Sequence, residues 1–231
     1  MRTAVVTGAG RGIGAAVAEE LAARGDRVVL AARTLPELVG TASRISATGG
    51  VALPVRCDVT REDEVNRLFR EARDRFGPVE VLVNNAGAVD PSPVASMSLE
   101  AWRATLDANL TSAFLCSRAA LADMVAAKRG CIVNVSSVAG VNHIDKYPGF
   151  AAYACSKAAV IAFTETLAAE VDEQGIRVLC VSPGSVETKM FAKVAPGVKA
   201  AMVPADIARI VAFLASDDAK AASGSNLVVR G

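Results

Sequence analysis

Residues 3–14 read TAVVTGAGRGIG, and the order of events in that stretch sets the pattern for the rest of the chain. The run at 3–7 is short and β-branched, which reads as a strand. Gly8, Gly12 and Gly14 then allow a sharp turn, and residues 15–23 take up a helical spacing of apolar side chains. The same alternation recurs downstream. RVVLA at 27–31 precedes a helical stretch after Leu35, VALPVR at 51–56 precedes the Glu- and Arg-rich segment 61–75, and VEVLV at 79–83 leads to the long segment 99–127. Runs at 131–135, 176–181 and 226–229 complete seven strands. Strands alternating with helices predict a mostly parallel sheet with right-handed crossovers and helices on both faces, a three-layer α/β architecture.

Local punctuation agrees. Gly25, Gly77 with Pro78, and Gly175 each follow a predicted helix. Thr60, followed three residues later by Asp63, predicts a capping box at the head of the 61–75 helix, with Asp in place of the more usual Glu or Gln. Residues 186–203 carry no clear period.

A chain of 231 residues is long enough for one full core, so a single domain over residues 1–231 is expected. Lys plus Arg number 25 against 24 for Asp plus Glu, without the basic excess that draws a protein to nucleic acid. Apolar residues are 52% of the chain but never run uninterrupted for the roughly 18 residues of a membrane span. The N-terminal residues lack a secretory pattern, so a cytoplasmic protein with a small-molecule partner is expected. Cys57, Cys116, Cys131, Cys155 and Cys180 are scattered and odd in number, which predicts buried core thiols. With His143 the only histidine, no metal site is expected.

Glycines between a strand and a helix let the backbone approach a pyrophosphate, whose charge then meets the N–H groups of the helix start. The spacing is GxxxGxG, with Arg11 and Ile13 flanking Gly12, and not the commoner GxGxxG. A dinucleotide cofactor is therefore expected here, against the plainer reading of a tight turn. At the end of the second strand an acid would bind the adenosine ribose hydroxyls, but the residues are Ala31, Ala32 and Arg33. The forked guanidinium of Arg33, with Arg11 as a second cation, suits a 2′-phosphate, so NADP(H) is expected, with NAD(H) as the alternative.

Tyr153 and Lys157, in YACSK, stand four apart and project from one helix face. A phenol titrates near pH 10, and an adjacent ammonium favours its ionised form, giving an acid–base group without histidine. Alone, such a pair is also common on helix surfaces.

It is not alone. TGAGRGIG at 7–14, NNAG at 84–87, Asn109 within ANLTSAF, NVSS at 134–137, YACSK at 153–157 and SPG at 182–184 follow one another along the chain. In order and spacing they resemble the short-chain dehydrogenase/reductase family, over essentially the whole chain. The resemblance implies a Rossmann-like domain and hydride transfer between a nicotinamide cofactor and a carbonyl or alcohol. By the same resemblance Tyr153 exchanges the proton with substrate oxygen, and Ser137 hydrogen-bonds that oxygen. Lys157 lowers the phenol pKa and holds the nicotinamide ribose, while Asn109 shapes a helix and holds a water in a relay. Hydride addition builds charge on oxygen, so donors aimed there stabilise the transition state. Ser136 is the competitor for the serine role. Asp58 and Val59 are expected to bracket the adenine, Asn84, Ala86 and Gly87 to close over the adenosine side, and Pro183, Gly184, Val186 and Thr188 to frame the nicotinamide. A homo-oligomer, tetramer or dimer, is also implied.

Two stretches depart from the family pattern. VAGVNHIDKYPGFAA, between Ser137 and Tyr153, is a few residues longer than the family usually has, and it holds His143, read as solvent-facing, and Tyr147, which lacks a lysine four residues on. KMFAKVAPGVKAAMV, between Thr188 and Pro204, is a short version of the family's helical lid and implies an open substrate pocket. The expected activity is NADPH-dependent reduction of a ketone, of 3-ketoacyl or small keto type. The alternatives are an alcohol dehydrogenase working oxidatively and a non-catalytic NADP-binding regulator, whose expected mark, loss of Tyr153, Lys157 or Ser137, is missing.

Overall fold

The computed structural model describes residues 1–144 and 146–231. Its strands are β1 (Thr3–Thr7), β2 (Arg27–Ala32), β3 (Val51–Arg56), β4 (Val79–Asn84), β5 (Gly130–Val135), β6 (Ile176–Pro183) and β7 (Asn226–Val229). The helices are α1 (Gly12–Ala23), α2 (Leu35–Ala47), α3 (Glu62–Phe76), α4 (Leu99–Leu106), α5 (Ser112–Ala127), α6 (Ala151–Val171), α7 (Lys189–Val194) and α8 (Pro204–Leu214).

Successive residues of a strand point to opposite faces, and here each face closes on its own core. Ala4, Val6, Val28, Leu30, Val81 and Val83 meet Val17 and Leu21 of α1, Leu38 and Ile45 of α2, and Ile207 and Val211 of α8. Val5, Val29 and Leu82 meet Leu68 and Phe69 of α3, Leu115 and Met124 of α5, and Leu167 of α6. Each of the larger of these side chains, when wholly buried, contributes about 1.5–3 kcal/mol.

The strand order is β3-β2-β1-β4-β5-β6-β7 and every pairing is parallel. The sequence expectation of a mostly parallel sheet is thus tightened, because each connection returns through a crossover and none is a hairpin. Pro54, which has no N–H to donate, lies on edge strand β3. The chain order reverses between β1 and β4, opening a crevice at the carboxyl ends of those strands.

Several local expectations are corrected. The capping box does not form: Thr60 Oγ1 donates instead to Asp58 Oδ1 at 2.8 Å, and α3 starts at Glu62 after Arg61. A wide turn of π type over Asp107–Thr111 interrupts the 99–127 helix. That run, Leu99–Ala127, has mean hydropathy 1.3 and is long and apolar enough by composition to cross a membrane, yet Leu115, Cys116, Ala120 and Met124 of α5 pack in the second core. Cys155 is exposed, unlike the other four cysteines, because it lies on the outer side of α6. Residues 186–203 form an excursion closed at its base by a bridge between Val186 and Met202, with only the short α7 inside it.

Candidate active site

The loop between β1 and α1 folds only with glycine. Gly8 and Gly12 have φ of +66° and +56°, and a Cβ on Gly14 would lie 2.3 Å from the Gly8 carbonyl oxygen. Among the described residues no side chain caps α1, and its first turn holds no acid, so its N–H groups remain directed at the crevice. That arrangement fits an anion such as a pyrophosphate. Thr7, which sequence reasoning passed over, fixes the loop to the turn after β4: its Oγ1 accepts from Asn85 and Ala86 N–H, each at 3.0 Å. Asn85 Nδ2 in turn donates to the Thr7 carbonyl at 2.9 Å.

Around the expected adenosine end the predicted residues diverge. Arg33 is exposed after β2 and makes no ion pair among the described residues. Arg11 is paired with Glu37 of α2 at 3.3 Å. Asp58 is engaged as a turn acid, its Oδ1 accepting from both the N–H and the hydroxyl of Thr60. The Val59 side chain packs into the second core, and Ile13, partly buried, packs against the first. Asn84 points inward: its Nδ2 donates to Ser117 Oγ at 3.0 Å and to Asn134 Oδ1 at 2.9 Å. Its side chain thus cross-links β4, β5 and α5 through Nδ2. Ala86 and Gly87 remain at the crevice. Across it, Gly184 N–H is held by the Val229 carbonyl at 2.7 Å, Val186 is buried, and Thr188 caps α7 by accepting from Phe191 N–H. A Cβ on Gly12 would lie 3.2 Å from Thr188 Cγ2, so the end of β6, from Pro183 onward, reaches over the glycine loop.

The residues expected to act on substrate stand together. Ser137 follows β5 by two residues and caps the 138–140 turn, its Oγ accepting from Ala139 N–H at 3.2 Å, which leaves the hydroxyl hydrogen free. Its rival is excluded: Ser136 is buried and donates to the Lys157 carbonyl at 2.7 Å. Tyr153 is half-covered and open to the crevice, with Phe150 edge-on at 6.2 Å between ring centroids. Burial raises the phenol above its ordinary value, while the Ser137 hydroxyl beside it acts in the opposite direction. Lys157 is buried, its Nζ 5.8 Å from the Tyr153 ring centroid and donating to the Val135 carbonyl at 2.9 Å. Burial pushes its ammonium down to about 8. In this arrangement the phenol is governed by burial and by the Ser137 hydroxyl.

Asn109 lies in the π turn and is buried. Its Oδ1 accepts from Ala88 N–H and its Nδ2 donates to the Ala88 carbonyl, both at 2.9 Å, and to Ser156 Oγ at 3.0 Å. A Cβ on Gly87 would lie 2.6 Å from Asn109 Oδ1 and 3.4 Å from Lys157 Nζ, so the glycine keeps open the space between them. Gly140, unnoticed in the sequence, lets the 138–140 turn lie on α6, since a Cβ there would be 2.5 Å from Ala158 N. His143 is exposed, as is Tyr147. A cavity of 410 Å³ opens on the far side of α6, between Ala151, Ala154, Cys155 and Ala158 and the preceding loop, away from Tyr153 and Lys157.

Residues 2–199 match the family described as short chain dehydrogenase. A 3-oxoacyl-[acyl-carrier-protein] reductase of Synechocystis sp. is 39% identical, over 95% of this chain and 91% of its own length. Among solved structures, a 7α-hydroxysteroid dehydrogenase complexed with NADH and 7-oxo glycochenodeoxycholic acid superposes with a TM-score of 0.94 at 31% identity, covering 99% of this chain and 92% of that one. A variant actinorhodin polyketide ketoreductase with NADPH gives 0.93 at 32% identity, covering 100% and 96%.

Proposed function

The chain belongs to the short-chain dehydrogenase/reductase family, oxidoreductases of CH–OH and C=O groups, and within it we propose an NADPH-dependent ketone reductase acting on a 3-oxoacyl thioester or a small keto metabolite. The observation that carries this reading is the convergence of the Tyr153 and Ser137 hydroxyls at the crevice, with Lys157 behind them. When bound, the nicotinamide cofactor supplies the hydride that adds to the carbonyl carbon. The residues of the chain manage the oxygen. Ser137 donates its free hydrogen to that oxygen and positions it. Tyr153 holds its proton at neutral pH, since burial raises the phenol, and delivers it as charge develops. The Lys157 ammonium stabilises the phenolate left behind and passes a proton to it from the space beside Gly87 and Asn109. Gly8, Gly12 and Gly14 with the start of α1 hold the pyrophosphate, and Arg33 with Arg11 takes the 2′-phosphate.

The 3-oxoacyl class is supported by the likeness to the cyanobacterial reductase, and the short α7 leaves a wide mouth for a long substrate. Oxidation of an alcohol is the second reading, favoured by the Glu37 carboxylate that offsets Arg11. Exposed Phe114 and Val125 on α5 and Leu227 and Val228 on β7 support a homo-oligomer.

A panel of ketones that includes a 3-oxoacyl thioester, followed by NADPH and NADH absorbance in parallel, tests the reading. Faster consumption of NADPH with the thioester is expected. Turnover confined to NAD and alcohols would replace it with the second reading.

A further inference from the structure

The sequence offers two cations for an adenosine 2′-phosphate, but the fold gives one of them a partner. Glu37 occupies the third position of α2, and its Oε1 stands 3.3 Å from Arg11 Nη1. The carboxylate is held there by packing. A Cβ on Gly10 would lie 2.9 Å from Glu37 Cβ and 3.1 Å from Oε2, so the bare backbone of Gly10 is what lets Glu37 lie against the glycine loop. One turn on, Thr41 Oγ1 reaches the Gly10 carbonyl at 3.4 Å and holds α2 to the same loop. Arg33, just before α2, makes no ion pair among the described residues. Arg44, further along α2, donates to Thr41 Oγ1 and is itself paired with Glu19, so of the two cations the sequence offers only Arg11 faces Glu37.

We propose that Glu37 is a specificity-determining residue, which holds Arg11 on the glycine loop and weakens its attraction for a 2′-phosphate, so that it sets the ratio of NADPH to NADH affinity. This rests on the reading that the adenosine ribose binds between Arg11 and Arg33. A 2′-phosphate is divalent, so it competes with Glu37 for the guanidinium and is repelled by the carboxylate. An uncharged ribose hydroxyl feels neither effect. The Glu37 side chain is 30% exposed and that of Arg11 62%, so water and salt screen the interaction and the effect is of moderate size.

The test measures dissociation constants directly, by fluorescence titration of NADPH and NADH into the full-length protein at low and high salt. Glu37→Gln keeps the side-chain volume, and Glu37→Ala serves as a second variant. Both are expected to tighten NADPH about fivefold at low salt while moving NADH less than about twofold, with the gain shrinking at high salt. In an Arg11→Ala background the gain from Glu37→Gln should fall to less than half, because the partner through which Glu37 acts is gone. Unchanged NADPH affinity, an equal shift for both cofactors, or full additivity of the two substitutions overturns the proposal. If the unaltered protein binds NADH more tightly, the NADPH reading of the function fails, while the response to Glu37→Gln still decides this one.

Discussion

Ser136 Oγ donates to the main-chain carbonyl of Lys157 at 2.7 Å, joining the end of β5 to the middle of α6. The next residue, Ser137, is thereby presented to the crevice with its hydrogen unused. Both serines lie just beyond β5, and their different contacts separate a structural hydroxyl from a reactive one. Ser137→Ala should lower kcat by about 10²-fold or more, with at most about 1 kcal/mol of stability lost from the Ala139 cap. Ser136→Ala should instead cost about 1–2 kcal/mol of stability by removing a buried hydrogen bond. Steady-state kinetics and thermal melts on both variants distinguish the roles, and an exchange of phenotypes would reverse the assignment.

Tyr153→Phe removes only the phenolic hydroxyl. Turnover is expected to fall about 10³-fold, the usual contribution of a positioned proton donor, with cofactor binding nearly intact. Residual turnover within tenfold of the unaltered enzyme would exclude Tyr153 as the donor.

Lys157 makes the pH dependence specific. Its folded-state value, about 8, lies below the ordinary lysine value of 10.5. Reduction needs the ammonium, so kcat/KM should be level below about pH 8 and decline above it. Stability runs the other way. Between about 8 and 10.5 the unfolded chain binds more protons than the native one, so stability rises with pH across that window. Lys157→Met should remove this rise, abolish turnover and stabilise the cofactor-free fold at neutral pH by about 2 kcal/mol, given ~1.4 kcal/mol per pH unit less a lost hydrogen bond. Denaturant titrations at several pH values check it.

Gly87 stands where a methyl group would touch Asn109 Oδ1 at 2.6 Å and crowd Lys157 Nζ at 3.4 Å. Gly87→Ala should reduce kcat at least about tenfold by shifting these groups, a displacement of under 1 Å being enough. Full activity in that variant would show that the space between Asn109 and Lys157 is not used.

The architecture was legible because strands and helices carry their own periods, and Val5 against Ala4 and Val6 shows the alternation that assigns each side chain to one of two cores. The Tyr153–Lys157 pair was legible because four residues along a helix always share a face. The capping box at Thr60 misled because Asp58, two residues earlier, competes for the same hydroxyl and wins by forming a tighter local turn. Cys155 misled because composition gives the average burial of a residue type and not the side of the helix on which it falls.

The sequence by itself determined the layered α/β domain, the glycine loop and the Tyr153–Lys157 spacing, since those depend on periodicity and short-range spacing, while the choice of Ser137 came from the family resemblance. Only the tertiary structure decided what long-range contact controls. It turned Asn84 inward to Ser117 and Asn134, assigned Ser136 to the Lys157 carbonyl, and set the Glu37 carboxylate against Arg11. It also showed burial acting on both members of the Tyr153–Lys157 pair, raising the phenol and lowering the ammonium. Desolvation and pairing are properties of neighbours brought together from distant parts of the chain, and no local reading of spacing contains them.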